Sequence, residues 1–208
     1  MARTYRSPAR EQQAEETKVR ICLAAAPLFA TQGYAATSMR QLATAAGVSM
    51  DTMYSLGSKS DVFLRALEMT LSGLTDGTPL FDRPDLASPP PGATLRDVVE
   101  DVVAAVVGAN RRAVGLWTAF LEGANTDAAL AAAFAQRIAD MRSEGIKLFQ
   151  RFVDWGLCPA PVDLVRTVDL GWTASHPSTY TLMVTHAGWT PAQYQEWLVE
   201  RYLELLRG

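Results

Sequence analysis

Residues 38–54, SMRQLATAAGVSMDTMY, constrain this chain more than any other stretch. Ser38 followed three residues later by Gln41 makes a capping box. Met39, Leu42, Ala43 and Ala46 recur behind it at helical spacing, so a short helix opens here and stops at Gly47. Val48 begins a tight turn, and Ser49 caps a second short helix reaching about Leu56. Ala43, Ala46 and Gly47 permit close approach of the two helices, and Leu42, Val48 and Met53 supply their shared core. The first turn of the second helix then presents Ser49, Met50, Asp51 and Thr52 outward. A duplex major groove is about 12 Å wide and admits one helix, provided a second helix fixes its angle. The free amides of that first turn also favour phosphate.

Helical periods extend on both sides. Ile21, Ala25, Leu28 and Phe29 predict a helix over about residues 10–32, closed by Gly33, with a bend where Pro27 cannot donate to the carbonyl of Leu23. Ser58 and Asp61 give another box before Val62, Phe63, Leu64, Ala66 and Leu67. Residues 75–93 are rich in Pro, Gly and Asp and read as a loop or linker. Val98, Val99, Val102, Val103, Val106 and Val107 form a helical stripe beyond it, with a buried strand as the minority reading. Leu130, Phe134, Ile138, Met141, Leu148, Phe152 and Trp155 predict a long helix over 127–155. Pro161 and Pro177 open shorter helices, and Thr190–Pro191 starts a last one carrying Tyr194, Trp197, Leu198, Tyr202 and Leu205. No segment alternates as a strand does, so the fold class is all-α without an internal repeat.

Charge is distributed unevenly although the net is only -3. Lys and Arg exceed Asp and Glu in residues 1–65 and fall short of them in residues 66–208, which suits an N-terminal module that meets phosphates. Cys22 and Cys158 lie far apart and form no metal-binding spacing, so reduced thiols in a soluble, cytoplasmic protein are expected, with no metal and no cofactor. The apolar run at 21–30 is half what a bilayer requires and follows a charged stretch, against both a membrane span and a signal peptide. An enzyme is not expected. His176 and His186 are the only histidines, and no HExxH, GxSxG or Gly-rich phosphate loop occurs.

The run IxxAAxxLFAxxGYxxTSM at residues 21–39, then GVSxxTxY at 47–54, then SK before an acidic residue and an apolar helix, resembles the DNA-binding domain of the TetR (tetracycline repressor) family. HPSTYTLMVTHAGWTPAQYQEWL near the C-terminus is similar to the ending of many such regulators from high-GC bacteria. The resemblance implies a two-fold homodimer on double-stranded operator DNA and a cavity for a small-molecule effector in the larger helical domain. It implies Thr37, Tyr54 and Lys59 as phosphate anchors, with Ser38, Arg40 and Gln41 beside them, and Ser49, Met50, Asp51 and Thr52 as base readers. Two departures stand out. Tyr54 is followed by SLGSK, one residue shorter than the family pattern and without its aromatic, and Asp51 occupies a position where the family carries Gly, Lys or a small residue.

The expected organisation is a helix-turn-helix domain over 1–58 and a helical effector-binding and dimerisation domain over 59–208. Trp117, Phe120, Met141, Phe149, Trp172, His176, Tyr180 and Met183 are the candidate lining of a largely apolar effector site. The expected function is a ligand-responsive transcriptional regulator, a repressor released from its operator by a small molecule. The mechanism expected is a tilt of the helix at about 60–74 that changes the separation of two recognition helices. The competing reading is a helical small-molecule binding protein whose helix-turn-helix is degenerate, motivated by Asp51 and the shortened connection.

Overall fold

A computed structural model describes residues 8–73, 78–84, 86–161 and 163–207, with side chains from residue 12 onward. The described residues are helical, without strands. In chain order the helices are α1 (Pro8–Ala36), α2 (Met39–Ala46), α3 (Met50–Ser55), α4 (Lys59–Ser72), α5 (Leu95–Ala124), α6 (Ala128–Asp154), α7 (Leu164–Ser175), α8 (Pro177–Tyr180) and α9 (Pro191–Arg207). A single 3₁₀ turn at Leu80–Asp82 interrupts the α4–α5 connection, and a π-type turn at Thr181–His186 follows α8. Residues 75–77 and 85 of the loop expected over 75–93 lie outside the described residues.

The caps decide most boundaries. Ser38 with Gln41, Ser58 with Asp61 and Thr94 with Asp97 all form reciprocal boxes, and Asp127 accepts from the amides of Ala129 and Leu130 to open α6. Gly47 and Gly73 close α2 and α4 in the left-handed conformation. The angles of α1 stay helical through Pro27, and its break falls at Gly33, the expected stop, with φ 79° and ψ 168°. Helix α7 opens not at Pro161 but at Leu164, because the Asp163 carboxylate is placed to accept from the amide of Arg166.

Two apolar clusters make the core. The first joins Ile21, Phe29, Leu42, Met53, Phe63 and Leu67 of the first four helices to Leu116, Trp117 and Phe120 of α5. The second holds the six-valine stripe of α5 with Leu148, Phe149 and Phe152 of α6 and Tyr194, Leu198 and Leu203 of α9. Helix α5, 30 residues and so about 45 Å long, passes through both clusters. At Gly115 it lies close against α1, where a Cβ would stand 2.8 Å from the Cβ of Ala30. The first cluster runs across position 58, since α4 contributes Val62, Phe63, Ala66 and Leu67 to the core that α1 to α3 share.

Candidate nucleic-acid interface and effector cavity

Helices α2 and α3 pack through Leu42 and Met53, both fully buried, with Val48 partly buried between them. The Ser49 hydroxyl accepts from the Thr52 amide at 3.1 Å and bonds the Thr52 hydroxyl at 2.9 Å, which fixes the first turn of α3. Ser49 and Asp51 are exposed there, while Met50 and Thr52 are half-buried, Met50 against the first core cluster. Tyr54 is 59% exposed. A large aromatic left in solvent at the end of α3 is available to a partner and is not packed as core.

The short connection after Tyr54 closes without disturbing α3. Leu56 turns into the core, and Gly57 adopts φ 117°. A Cβ at Gly57 would lie 2.4 Å from an Asp61 carboxylate oxygen, so glycine there lets the chain reach the cap of α4 one residue early.

The anchors inferred from the resemblance separate into two groups. Ser38, Arg40 and Gln41 are exposed on α2 and its cap. Ser38 and Gln41 hold each other, with the Ser38 amide donating to Gln41 Oε1 at 2.8 Å. The guanidinium of Arg40 has no partner among the described residues. Thr37 and Lys59 are otherwise engaged. Thr37 is 1% exposed and its hydroxyl donates to the Gly33 carbonyl at 2.8 Å, so no Thr37 hydroxyl stands at the surface to meet a phosphate. Lys59 Nζ donates to the carbonyls of Tyr34 (2.9 Å) and Thr37 (3.1 Å) and sits 4.1 Å from the Tyr34 ring centroid. These contacts satisfy the end of α1 after its break at Gly33, and partial burial holds the Lys59 ammonium below its ordinary pKa.

A cavity of about 150 Å³ opens between the C-terminal end of α4, the segment at 78–81, α5, α6 and α7. Leu71 and Ser72 of α4, Val106 and Asn110 of α5, and Arg137, Met141, Glu144 and Phe149 of α6 line it, with Trp172 and Ser175 of α7 and Tyr202 of α9. Of the eight side chains expected at an effector site, Met141, Phe149 and Trp172 line this cavity. The other five lie elsewhere. Trp117 and Phe120 share the helical face of Val106 but lie about three and four turns further along α5, inside the first core cluster. Tyr180 packs edge-on against Tyr194 in the second cluster, and Met183 packs against the same cluster. His176 stands between the rings of Trp117 and Trp172, 5.3 and 5.1 Å away, and burial lowers its pKa.

Sequence reasoning missed the charged members of this lining. Arg137 donates to Glu144 at 3.2 Å and stands 3.9 Å from Glu68, and desolvation raises the carboxyl of Glu144 despite that ion pair. Their signal was there: 137 and 144 are seven residues apart and flank Met141, so they share its face of α6. No group of His, Cys, Asp and Glu among the described residues is arranged to hold a metal ion. No helix among them is long and apolar enough to cross a membrane.

The family model of bacterial regulatory proteins of the tetR family matches residues 21–66, the span of α1 to α4 that builds the helix-turn-helix. Over these residues the chain carries a DNA-binding domain of the tetR type. Its whole fold is that of several solved structures. A Mesorhizobium loti MAFF303099 protein assigned to the TetR family superposes with a TM-score of 0.68 at 18% identity, covering 93% of this chain and 96% of that one. A transcriptional regulator from Rhodococcus sp. Rha1 gives 0.65 at 16% identity, over 91% and 95% of the two chains. MexZ, a repressor responsible for antibiotic resistance in Pseudomonas aeruginosa, gives 0.57 at 19% identity, over 93% and 96%. No curated protein sequence matches the chain. The chain therefore has the DNA-binding domain of a transcriptional regulator joined to a helical C-terminal part.

Proposed function

We propose that this protein is a TetR-family repressor that binds an operator as a homodimer and releases it when a small, largely apolar molecule enters the cavity between α4 and α6. The division of labour runs near position 58, with residues 1–58 reading DNA and residues 59–208 sensing and pairing. Soluble, cytoplasmic action on double-stranded DNA follows from that role, and the chain acts as a regulator and not as an enzyme.

The observation that carries this reading is the position of α4. Its C-terminal residues Leu71 and Ser72 are cavity wall, while Lys59 at its first turn grips the carbonyls that end α1 beside the helix-turn-helix. Arg112 of α5 fixes the other end, donating to the carbonyls of Thr70 (3.0 Å) and Leu71 (2.9 Å). A helix of 14 residues, about 20 Å long, thus connects effector and DNA directly. Effector binding favours a state in which α4 tilts and the paired recognition helices depart from the roughly 34 Å of one DNA turn. A differential affinity of about 1 to 3 kcal/mol is enough for useful control. Exposed apolar side chains gather between 165 and 182, where Val165, Leu170 and Leu182 are 48%, 52% and 61% exposed, and this end of the molecule suits the self-complementary dimer contact.

The experiment is selection of bound duplexes from a random pool, followed by anisotropy titration of the selected operator. Ala109→Trp, which fills the cavity from α5, is expected to weaken operator binding by mimicking effector while leaving the fold intact by circular dichroism. Operator binding that falls steeply with salt yet keeps its preferred sequence supports the repressor. Weak, sequence-blind binding favours instead a small-molecule binding protein with a degenerate helix-turn-helix, the reading to which an exposed Asp51 in the first turn of α3 lends weight.

A further inference from the structure

Most polar side chains of α2 and α3 are already bonded within the protein. The Ser49 hydroxyl bonds the amide and the hydroxyl of Thr52, the Ser55 hydroxyl donates to the Thr52 carbonyl, and the Thr44 hydroxyl donates to the Arg40 carbonyl. Ser38 holds Gln41, whose Nε2 donates to Gln32 Oε1 at 3.3 Å. Three polar groups of this helix pair have no partner among the described residues: the Arg40 guanidinium, the Tyr54 hydroxyl and the Asp51 carboxylate. All three belong to exposed residues.

These three groups divide by chemistry. A guanidinium and a phenol both donate, and phosphate oxygens accept from either. A carboxylate only accepts, so phosphate repels it and cannot be what Asp51 meets. Asp51 and Tyr54 are three residues apart and therefore share a face of α3, the helix whose first turn is presented to base edges in a helix-turn-helix. In the major groove guanine offers the acceptors N7 and O6 and thymine the acceptor O4, which leaves the N4 amine of cytosine and the N6 amine of adenine as donors. The adenine amine is flanked on its own ring by the N7 acceptor, whereas the neighbour of the cytosine amine is a C–H. A carboxylate thus gains a charge-assisted bond without opposing repulsion from the same ring only at cytosine.

We propose that Asp51 is a specificity-determining residue whose carboxylate accepts from the N4 amine of a cytosine at one fixed position in each operator half-site. The inference rests on reading α2 and α3 as the operator-binding unit, and it adds a base and the side chain that selects it.

The test uses duplexes selected from a random pool by the full-length protein, with affinities read by anisotropy at fixed salt. The selected half-sites are expected to carry cytosine at one position, and replacing that C·G pair by each of the other three pairs should weaken binding about tenfold. Asp51→Ala should bind the four versions of that position within about threefold of one another while keeping its preferences at the other positions. Asp51→Asn should move the preference to adenine, whose N6 and N7 an amide bonds together. Half-sites in which the unaltered protein requires no cytosine overturn the proposal and leave the operator reading standing. An Asp51→Ala protein that keeps the cytosine preference does the same, whatever its overall affinity. Sequence-blind binding by the unaltered protein removes the operator reading together with the proposal.

Discussion

The Tyr34 hydroxyl donates to the carboxylate of Asp127 at 2.7 Å, joining the end of α1 to the residue that caps α6. The same carboxylate accepts from the amides of Ala129 and Leu130, and Lys59 sits over the Tyr34 ring. Gly123 of α5 makes room for that ring, since a Cβ there would stand 3.1 Å from Tyr34 Cγ. One aromatic side chain therefore touches α4, α5 and α6, and α6 is a wall of the cavity. Tyr34→Phe keeps the ring and removes only this bond, which is charge-assisted but partly solvated, so a stability loss of about 1 kcal/mol is expected. Operator affinity without effector should stay within about twofold, while the effector concentration for half-release moves several-fold. Anisotropy titration with and without effector measures both. An unchanged effector response places the coupling in α4 alone.

Acid should reveal the capping carboxylates. Asp127 is held below the ordinary value of 3.8 chiefly by the Tyr34 hydroxyl, and Asp61 by the hydroxyl and amide of Ser58. A carboxylate whose folded pKa is depressed contributes its stability in full above the unfolded value and loses it as pH falls through the folded one. Melting temperature is therefore expected to hold down to about pH 5 and to fall steeply below about pH 4. In Tyr34→Phe that acid-dependent fall should be smaller, because the stabilisation it titrates has been removed. Calorimetric scans from neutral pH to pH 3 check the sign.

Tyr54 and Thr37 should respond in opposite ways although both resemble phosphate anchors. Tyr54 is 59% exposed, so Tyr54→Ala is expected to leave stability within about 0.5 kcal/mol and to weaken operator binding several-fold. Thr37 is buried with its hydroxyl on the Gly33 carbonyl, so Thr37→Val should cost about 1 kcal/mol of stability and alter DNA affinity little in the folded fraction. Denaturant titration beside anisotropy separates the two. A Thr37→Val protein of full stability that no longer binds operator would restore Thr37 to the interface.

The local rules reached the helices more surely than the site. Ser38, Ser49, Ser58 and Asp127 act over three residues of chain, and such short-range chemistry is legible wherever the partner sits at fixed spacing. Helix α1 continues through Pro27 because the stripe that packs Ala25 and Phe29 into the core runs past it, and tertiary burial outweighs one missing amide bond. The cavity was only partly legible because helical spacing gives the face of a residue and not its height along the axis. Trp117 shares a face of α5 with Val106, yet it belongs to a different cluster. Arg137 and Glu144 hid for a related reason: charge on a helix is ordinarily solvent-facing, and their burial depends on where α4 and α7 cross α6.

The contact of α1 with α5 makes the last prediction, because two glycines of one helix should behave oppositely. Alanine is favoured over glycine inside a helix by about 1 kcal/mol, so either substitution in α5 gains that much locally. At Gly108 the nearest atom to a new Cβ is Arg112 Nη1 at 3.3 Å, the guanidinium nitrogen outside the two bonds to α4, and a shift of a few tenths of an ångström relieves the contact. At Gly115 the new Cβ meets the Cβ of Ala30 at 2.8 Å and its carbonyl oxygen at 2.9 Å, and backbone does not yield without parting the helices. Overpacking of this kind costs about 1 to 3 kcal/mol, which exceeds the propensity gain. Gly108→Ala is therefore expected to raise the urea midpoint and Gly115→Ala to lower it, at unchanged slope. Because Ala30 lies one turn before Tyr34, Gly115→Ala should also loosen the Tyr34–Asp127 bond and blunt the effector response.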